Sequence, residues 1–142
     1  MIVDGKALAE GIYSELAPKF SKLPRPAKLG IVVVGVNPVI ESFVRIKTRA
    51  AARLNVEMVR ADLSASATTA TAIKAVKKLA SEVDSVIVQL PLPKPLDTDA
   101  ILAAIPPEKD VDALNPTIPD DKHPVFAPVA LAAVEILKRS GV

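Results

Sequence analysis

The stretch "KLGIVVVG", Lys28 to Gly35, constrains this chain more than any other. It is a short, unbroken run of β-branched side chains with no polar alternation, closed by glycine, and that pattern marks a strand buried on both faces. A strand of this kind sits inside a parallel sheet, so cover must come from helices on each side. The flanking sequence has the right pattern. In "DGKALAEGIYSELAPKF", Leu8, Ile12, Leu16 and Phe20 recur every four residues, with Ile2 and Val3 leading in and Pro24 and Pro26 closing the segment. After the strand, Asn37 followed by Pro38 is an N-cap with proline in the first turn, which predicts a helix from about Pro38 to Leu54.

The alternation continues. "VEMVRADL" is a weaker strand and "TTATAIKAVKKLA" a helix with Ile73, Val76 and Leu79 on one side and Lys74, Lys77 and Lys78 toward water. "DSVIVQL" is a third strand, "DTDAILAAI" a short helix, and "PVALAAVEILKRS" a last helix whose Leu131, Val134 and Leu137 are expected to continue the core face. Strand and helix in turn predict an α/β fold, a three-layer open parallel sheet flanked by helices with a C-terminal helix. At 142 residues the expectation is one domain, 1–142, with no internal repeat.

Composition narrows the function classes. With three Phe, one Tyr and no Trp, the chain lacks the aromatic platforms on which single-stranded nucleic acid stacks, and a net charge of +2 without a basic stripe argues against nucleic acid as partner. There is no cysteine, and a single histidine, His123, cannot assemble a zinc site, so no metal is expected. Apolar runs fall far short of the roughly 20 residues that span a bilayer. No membrane partner and a cytoplasmic location are the expectations.

In an open parallel sheet, ligands bind beyond the carboxyl ends of the strands. Gly35 to Pro38 and Gln89 lie at such ends, Gln89 being a polar residue set just before the proline run of "VIVQLPLPKP". On the helix after the first strand, Phe43 and Lys47 stand four apart on one face. Asp110 and Asp112 in "EKDVDALNP" are two apart, so an extended backbone would point both carboxylates one way. Each has a plainer reading: Phe43 as core, Lys47 as a solvated lysine, Gln89 as a partner for loop backbone, and the two aspartates as turn or cap formers. "GVNPVI" has neither dinucleotide nor Walker glycine spacing.

Taken in order, "VDGKALA", "VVVGVNPVIESFVRIKTRAA", "VIVQLPLP" and "PPEKDVDALNP" resemble the bifunctional methylenetetrahydrofolate dehydrogenase/methenyltetrahydrofolate cyclohydrolase family. The resemblance implies one-carbon folate metabolism. It also implies that this chain is the N-terminal folate-binding catalytic domain, and that the family's C-terminal Rossmann domain, which binds NADP or NAD, is absent from it. No cofactor is then expected to bind this chain alone. Lys47 matches the family's catalytic lysine, which moves protons around the one-carbon bridge. Gln89 matches the glutamine that orients that lysine, and Asp112 the aspartate that anchors the pterin. Phe43, Leu90 and Pro91 would help line the folate cleft. A homodimer is implied for the full-length protein and a monomer for the isolated domain.

The chain departs from the family at Phe43, where the family has tyrosine, at Pro38-Val39-Ile40 for Pro-Ala-Ser, at Ala113 for glycine, and in "TIPDDKHPV" and "FAPVALA". A pterin-binding domain without turnover, and a structural subunit needing a Rossmann partner, are the alternatives these departures leave open.

Overall fold

A computed structural model describes residues 3–141, so the expectation for Ile2 lies outside the described residues. Strand β1 (Lys28–Val34) is the centre of a parallel three-stranded sheet, with β2 (Glu57–Leu63) on one side and β3 (Ser85–Val88) on the other. The β-branched run of β1 explains itself here. Ile31 and Val33 pack with Ile40 and Val44 of α2 (Pro38–Arg53), while Val32 and Val34 pack with Val76 and Leu79 of α3 (Thr69–Glu82) and Ile101 of α4 (Thr98–Leu102). Alternate residues of one strand thus serve two cores, which is why no position in the run is polar.

The strand order β2-β1-β3 requires the chain to move outward from β1 through α2 and then return across the sheet through α3. With both crossovers of the same hand, the two helices must lie on opposite faces, and the two separate core clusters show that they do. On the α3 face the approach is close. A Cβ built on Gly30 would stand 2.8 Å from the Leu79 side chain and 3.0 Å from that of Val83.

Local polar contacts set the ends of these elements. The Asn37 carboxamide accepts from the Val39 N–H at 2.9 Å, and Thr68 and Asp97 cap α3 and α4 in the same way. No basic residue lies in the last turn of α3; Lys109, from a 3₁₀ turn further along, donates its Nζ to the Ala80 and Val83 carbonyls instead. Arg25 forks onto Asp84, which also accepts from the Lys28 N–H, tying the start of β1 to the start of β3. The Arg25 guanidinium and then the Lys28 N–H hold the Asp84 carboxyl well below the usual carboxylate range.

Two expectations need correction. The third strand is shorter than "DSVIVQL" predicts, ending at Val88, although the Gln89 N–H still donates to the Val32 carbonyl at 2.9 Å. The larger correction concerns α5 (Pro128–Arg139). Leu131, Val134 and Leu137 do not continue the core, being 48%, 44% and 51% exposed. Instead α5 lies against α1 (Gly5–Phe20), and neither helix contains a fully buried residue. Arg139 pins the pair by a fork onto Glu15. Apolar periodicity shows which face of a helix needs cover; it does not say that the sheet is what covers it.

Candidate active site

In the order β2-β1-β3 the connections leave β1 and β3 toward opposite sides, and the crevice outside the carboxyl ends of those two strands is where such sheets hold ligands. A recess is present there, lined by Gly35, Val36, Asn37 and Ile40 after β1 and by Pro91, Leu92 and Pro93 after β3. A larger recess lies between α1 and α5. Its charged lining residues, Glu15, Glu135 and Arg139, are already paired with one another, so it offers little for chemistry.

Lys47 leaves α2 toward the β3 side and meets Asp112, with Nζ 3.7 Å from Oδ2. Both side chains are partly exposed, at 34% and 21%, and therefore reachable by a ligand. Asp112 is brought there by backbone pairing. Asp110 forms a parallel bridge with Val86, and two residues further on Asp112 comes level with Val88, the last residue of β3. Gln89 is 8% exposed; its Nε2 donates to the Leu90 carbonyl at 2.9 Å and its buried Oε1 has no partner. Among the described residues no hydrogen bond joins Gln89 to Lys47. The lysine's ionic partner in this structure is Asp112, while Gln89 Oε1 is a buried acceptor at the end of β3 without a partner among the described residues.

Phe43, one turn before Lys47, is 53% exposed and so is not a core residue. Val39 and Ile46 are exposed on the same helix. Leu90 is half-buried and Pro91 exposed, joined by a cis peptide bond, with a second at Lys94–Pro95.

The two aspartates do not converge on one mouth. Asp110 turns inward: its Oδ2 accepts from the N–H groups of Leu114 and Asn115, so it forms the turn that Asp112 stands on. Asn115 is also buried, donating to the Ile105 carbonyl and accepting from Thr117. His123 folds over this turn, its Nδ1 3.8 Å from the Asp110 carboxylate and otherwise unpartnered. Sequence reasoning missed Asn115 and the burial of His123, since single polar residues in a loop carry no periodicity. The turn also fixes Ala113 at φ 54°, a left-handed conformation that favours glycine. Ala113→Gly is therefore expected to stabilise the fold by about 0.5–1 kcal/mol in urea denaturation, the relieved strain exceeding the added chain entropy. Lower stability in the variant would mean that the alanine methyl makes packing contacts worth more than the strain.

The class this defines is an α/β domain that carries a recess at the switch point of its sheet and an ammonium–carboxylate pair near the end of β3. The model of the tetrahydrofolate dehydrogenase/cyclohydrolase catalytic domain matches residues 3–112, and the chain belongs to that family. The bifunctional protein FolD of Methanospirillum hungatei is 39% identical over 106 residues, covering 73% of this chain and 38% of that protein. Among solved structures, a methylenetetrahydrofolate dehydrogenase from the silkworm Bombyx mori superposes with a TM-score of 0.90 at 30% identity, covering 99% of this chain and 52% of that one. The Trypanosoma brucei dehydrogenase-cyclohydrolase, solved with NADP and an inhibitor, gives a TM-score of 0.89 at 32% identity over 100% of this chain and 52% of its own. The chain thus spans between two fifths and about half of the relatives it matches.

Proposed function

We propose that this chain is the folate-binding catalytic half of a methylenetetrahydrofolate dehydrogenase/methenyltetrahydrofolate cyclohydrolase. With a nucleotide-binding partner domain supplying NADP or NAD, it oxidises 5,10-methylenetetrahydrofolate and hydrolyses the methenyl product to 10-formyltetrahydrofolate. The observation that carries this reading is the meeting of Lys47 with Asp112, which comes level with the carboxyl end of β3. Asp112 offers an acceptor for the ring N–H and amino groups of a pterin, with Gln89 behind it at the end of β3. Lys47 is then the group that gives and takes protons at the one-carbon bridge. Phe43 lends an exposed ring face on which a flat heterocycle can stack. A homodimer, and a cytoplasmic location, go with this reading rather than with any feature of the fold. Among the described residues no helix is long and apolar enough to cross a membrane.

Titration with 5-formyltetrahydrofolate, followed by amide NMR, tests the site. Residues 43–47, 89–91 and 112 are expected to shift together along one binding curve. Shifts confined to the lysine-rich face of α3 around Lys74 would overturn the assignment.

A further inference from the structure

Asp110 lies two residues from Asp112 but touches nothing that a ligand could reach. Its side chain is wholly buried, and a buried carboxylate is costly unless it is paired and hydrogen-bonded, so its contacts are informative. Those contacts join three segments. The Asp110 backbone bridges to Val86 of β3, its Oδ2 takes the Leu114 N–H at 2.9 Å and the Asn115 N–H at 2.8 Å, and His123 Nδ1 stands 3.8 Å away across the following loop. The chain between the bridge and the two N–H groups is Val111, Asp112 and Ala113, closed into a tight loop with Ala113 in a left-handed conformation. Asp112 therefore sits at the crown of a loop whose ends are tied by one carboxylate.

We propose that Asp110 is a positioning residue for Asp112, its carboxylate closing the loop that holds Asp112 against Lys47, with Asn115 bracing that loop on the Ile105 carbonyl. Without Asp110 Oδ2, two buried N–H groups lose their acceptor, and the loop must open to find water. An asparagine at this position keeps an amide oxygen where Oδ2 now lies, and so keeps the closure while removing the charge. The inference rests on the reading of Lys47 and Asp112 as the working pair, so its test measures their separation and not turnover.

A carbodiimide joins a carboxylate directly to an amine in contact with it, leaving an amide that peptide mapping by mass spectrometry identifies. Lys47 and Asp112, at 3.7 Å, suit this reaction, and Lys28 with Glu57, at 3.6 Å on the strands β1 and β2, provides a control in the same chain. Asp110→Ala is expected to lower the Lys47–Asp112 cross-link at least about tenfold relative to Lys28–Glu57, and Asp110→Asn to restore it to within about twofold of the parent chain. An unchanged ratio in Asp110→Ala would overturn the proposal. If the alanine chain loses both cross-links together it no longer folds, and Asp110→Asn then decides. Asp110→Asn, which keeps the acceptor, is the variant that holds the test open if the alanine chain is unstable: an asparagine chain that keeps the control cross-link but loses Lys47–Asp112 also refutes closure by the acceptor. Binding of 5-formyltetrahydrofolate by the same variants separates the two readings. If the parent chain binds none while the cross-link ratios follow the pattern above, the folate assignment fails and the positioning role stands.

Discussion

Lys47→Ala, in a chain joined to the nucleotide-binding domain of a relative, is expected to lower cyclohydrolase turnover by about 10²–10⁴-fold, the range for removal of a positioned acid–base group. Folding should be little affected. Lys47 is one-third exposed and its ionic contact is with a partly exposed aspartate, an arrangement worth at most about 1 kcal/mol. Lys47→Arg sharpens the test. Arginine keeps the positive charge and can still pair with Asp112, but it does not give up a proton near neutral pH. If the lysine works by proton transfer, arginine should be as inactive as alanine. If arginine keeps most of the turnover, the lysine acts through its charge alone and the acid–base role assigned to it is wrong. The absorbance of the methenyl compound, followed as it is consumed, measures all three chains.

Gly30→Ala is expected to destabilise the domain by about 1–3 kcal/mol, the usual cost of forcing a methyl group into a filled core. The added Cβ would lie 2.8 Å from both Cγ and Cδ2 of Leu79, closer than carbon atoms tolerate, and 3.0 Å from Val83 Cγ2. β1 is the central strand and cannot retreat, because it is paired on both sides. The strain must pass to α3, the helix that carries Leu79. A double variant, Gly30→Ala with Leu79→Ala, should cost clearly less than the sum of the two single changes, since the cavity left by one accepts the methyl of the other. Thermal unfolding of the four chains gives the comparison. Additive losses would mean that the clash is relieved somewhere other than at Leu79.

What the sequence made legible follows from which signals repeat. The run Ile31 to Val34 announced a strand with two covered faces, and the spacing of Ile73, Val76 and Leu79 announced the helix above it, because a buried surface imposes a period on many residues at once. Asn37 was legible as a cap because it precedes a proline at the start of an apolar period. Lys47, Gln89 and Asp112 were candidates from their places on a helix face, at a strand end and in an acidic pair, their roles came only by resemblance, and the structure puts Lys47 beside Asp112, with Gln89 following the end of β3. The partner of the lysine was not legible: pairing between Val86 and Asp110 is a bridge of a single residue pair, too short to leave any pattern. The place of α5 was hidden for a different reason. Its leucines and valines look the same whether the surface opposite belongs to the sheet or to another helix.

The packing of α5 on α1 has a consequence for how the domain comes apart. Resistance to local opening grows with the apolar surface an element keeps from water, and these two helices keep none of their residues fully from it. The sheet with α2, α3 and α4 holds most of the buried hydrophobic residues and is expected to open last. The first and last helices are the elements expected to open before the sheet does, with α1 tied back to α2 by the fork of Arg53 onto Glu10 and by Arg53 over the Tyr13 ring. Arg139 and Glu15 clasp α5 to α1 across the length of the chain, so in native-state hydrogen exchange the amides of α5 are expected to exchange first, those of α1 next, and those of β1 last.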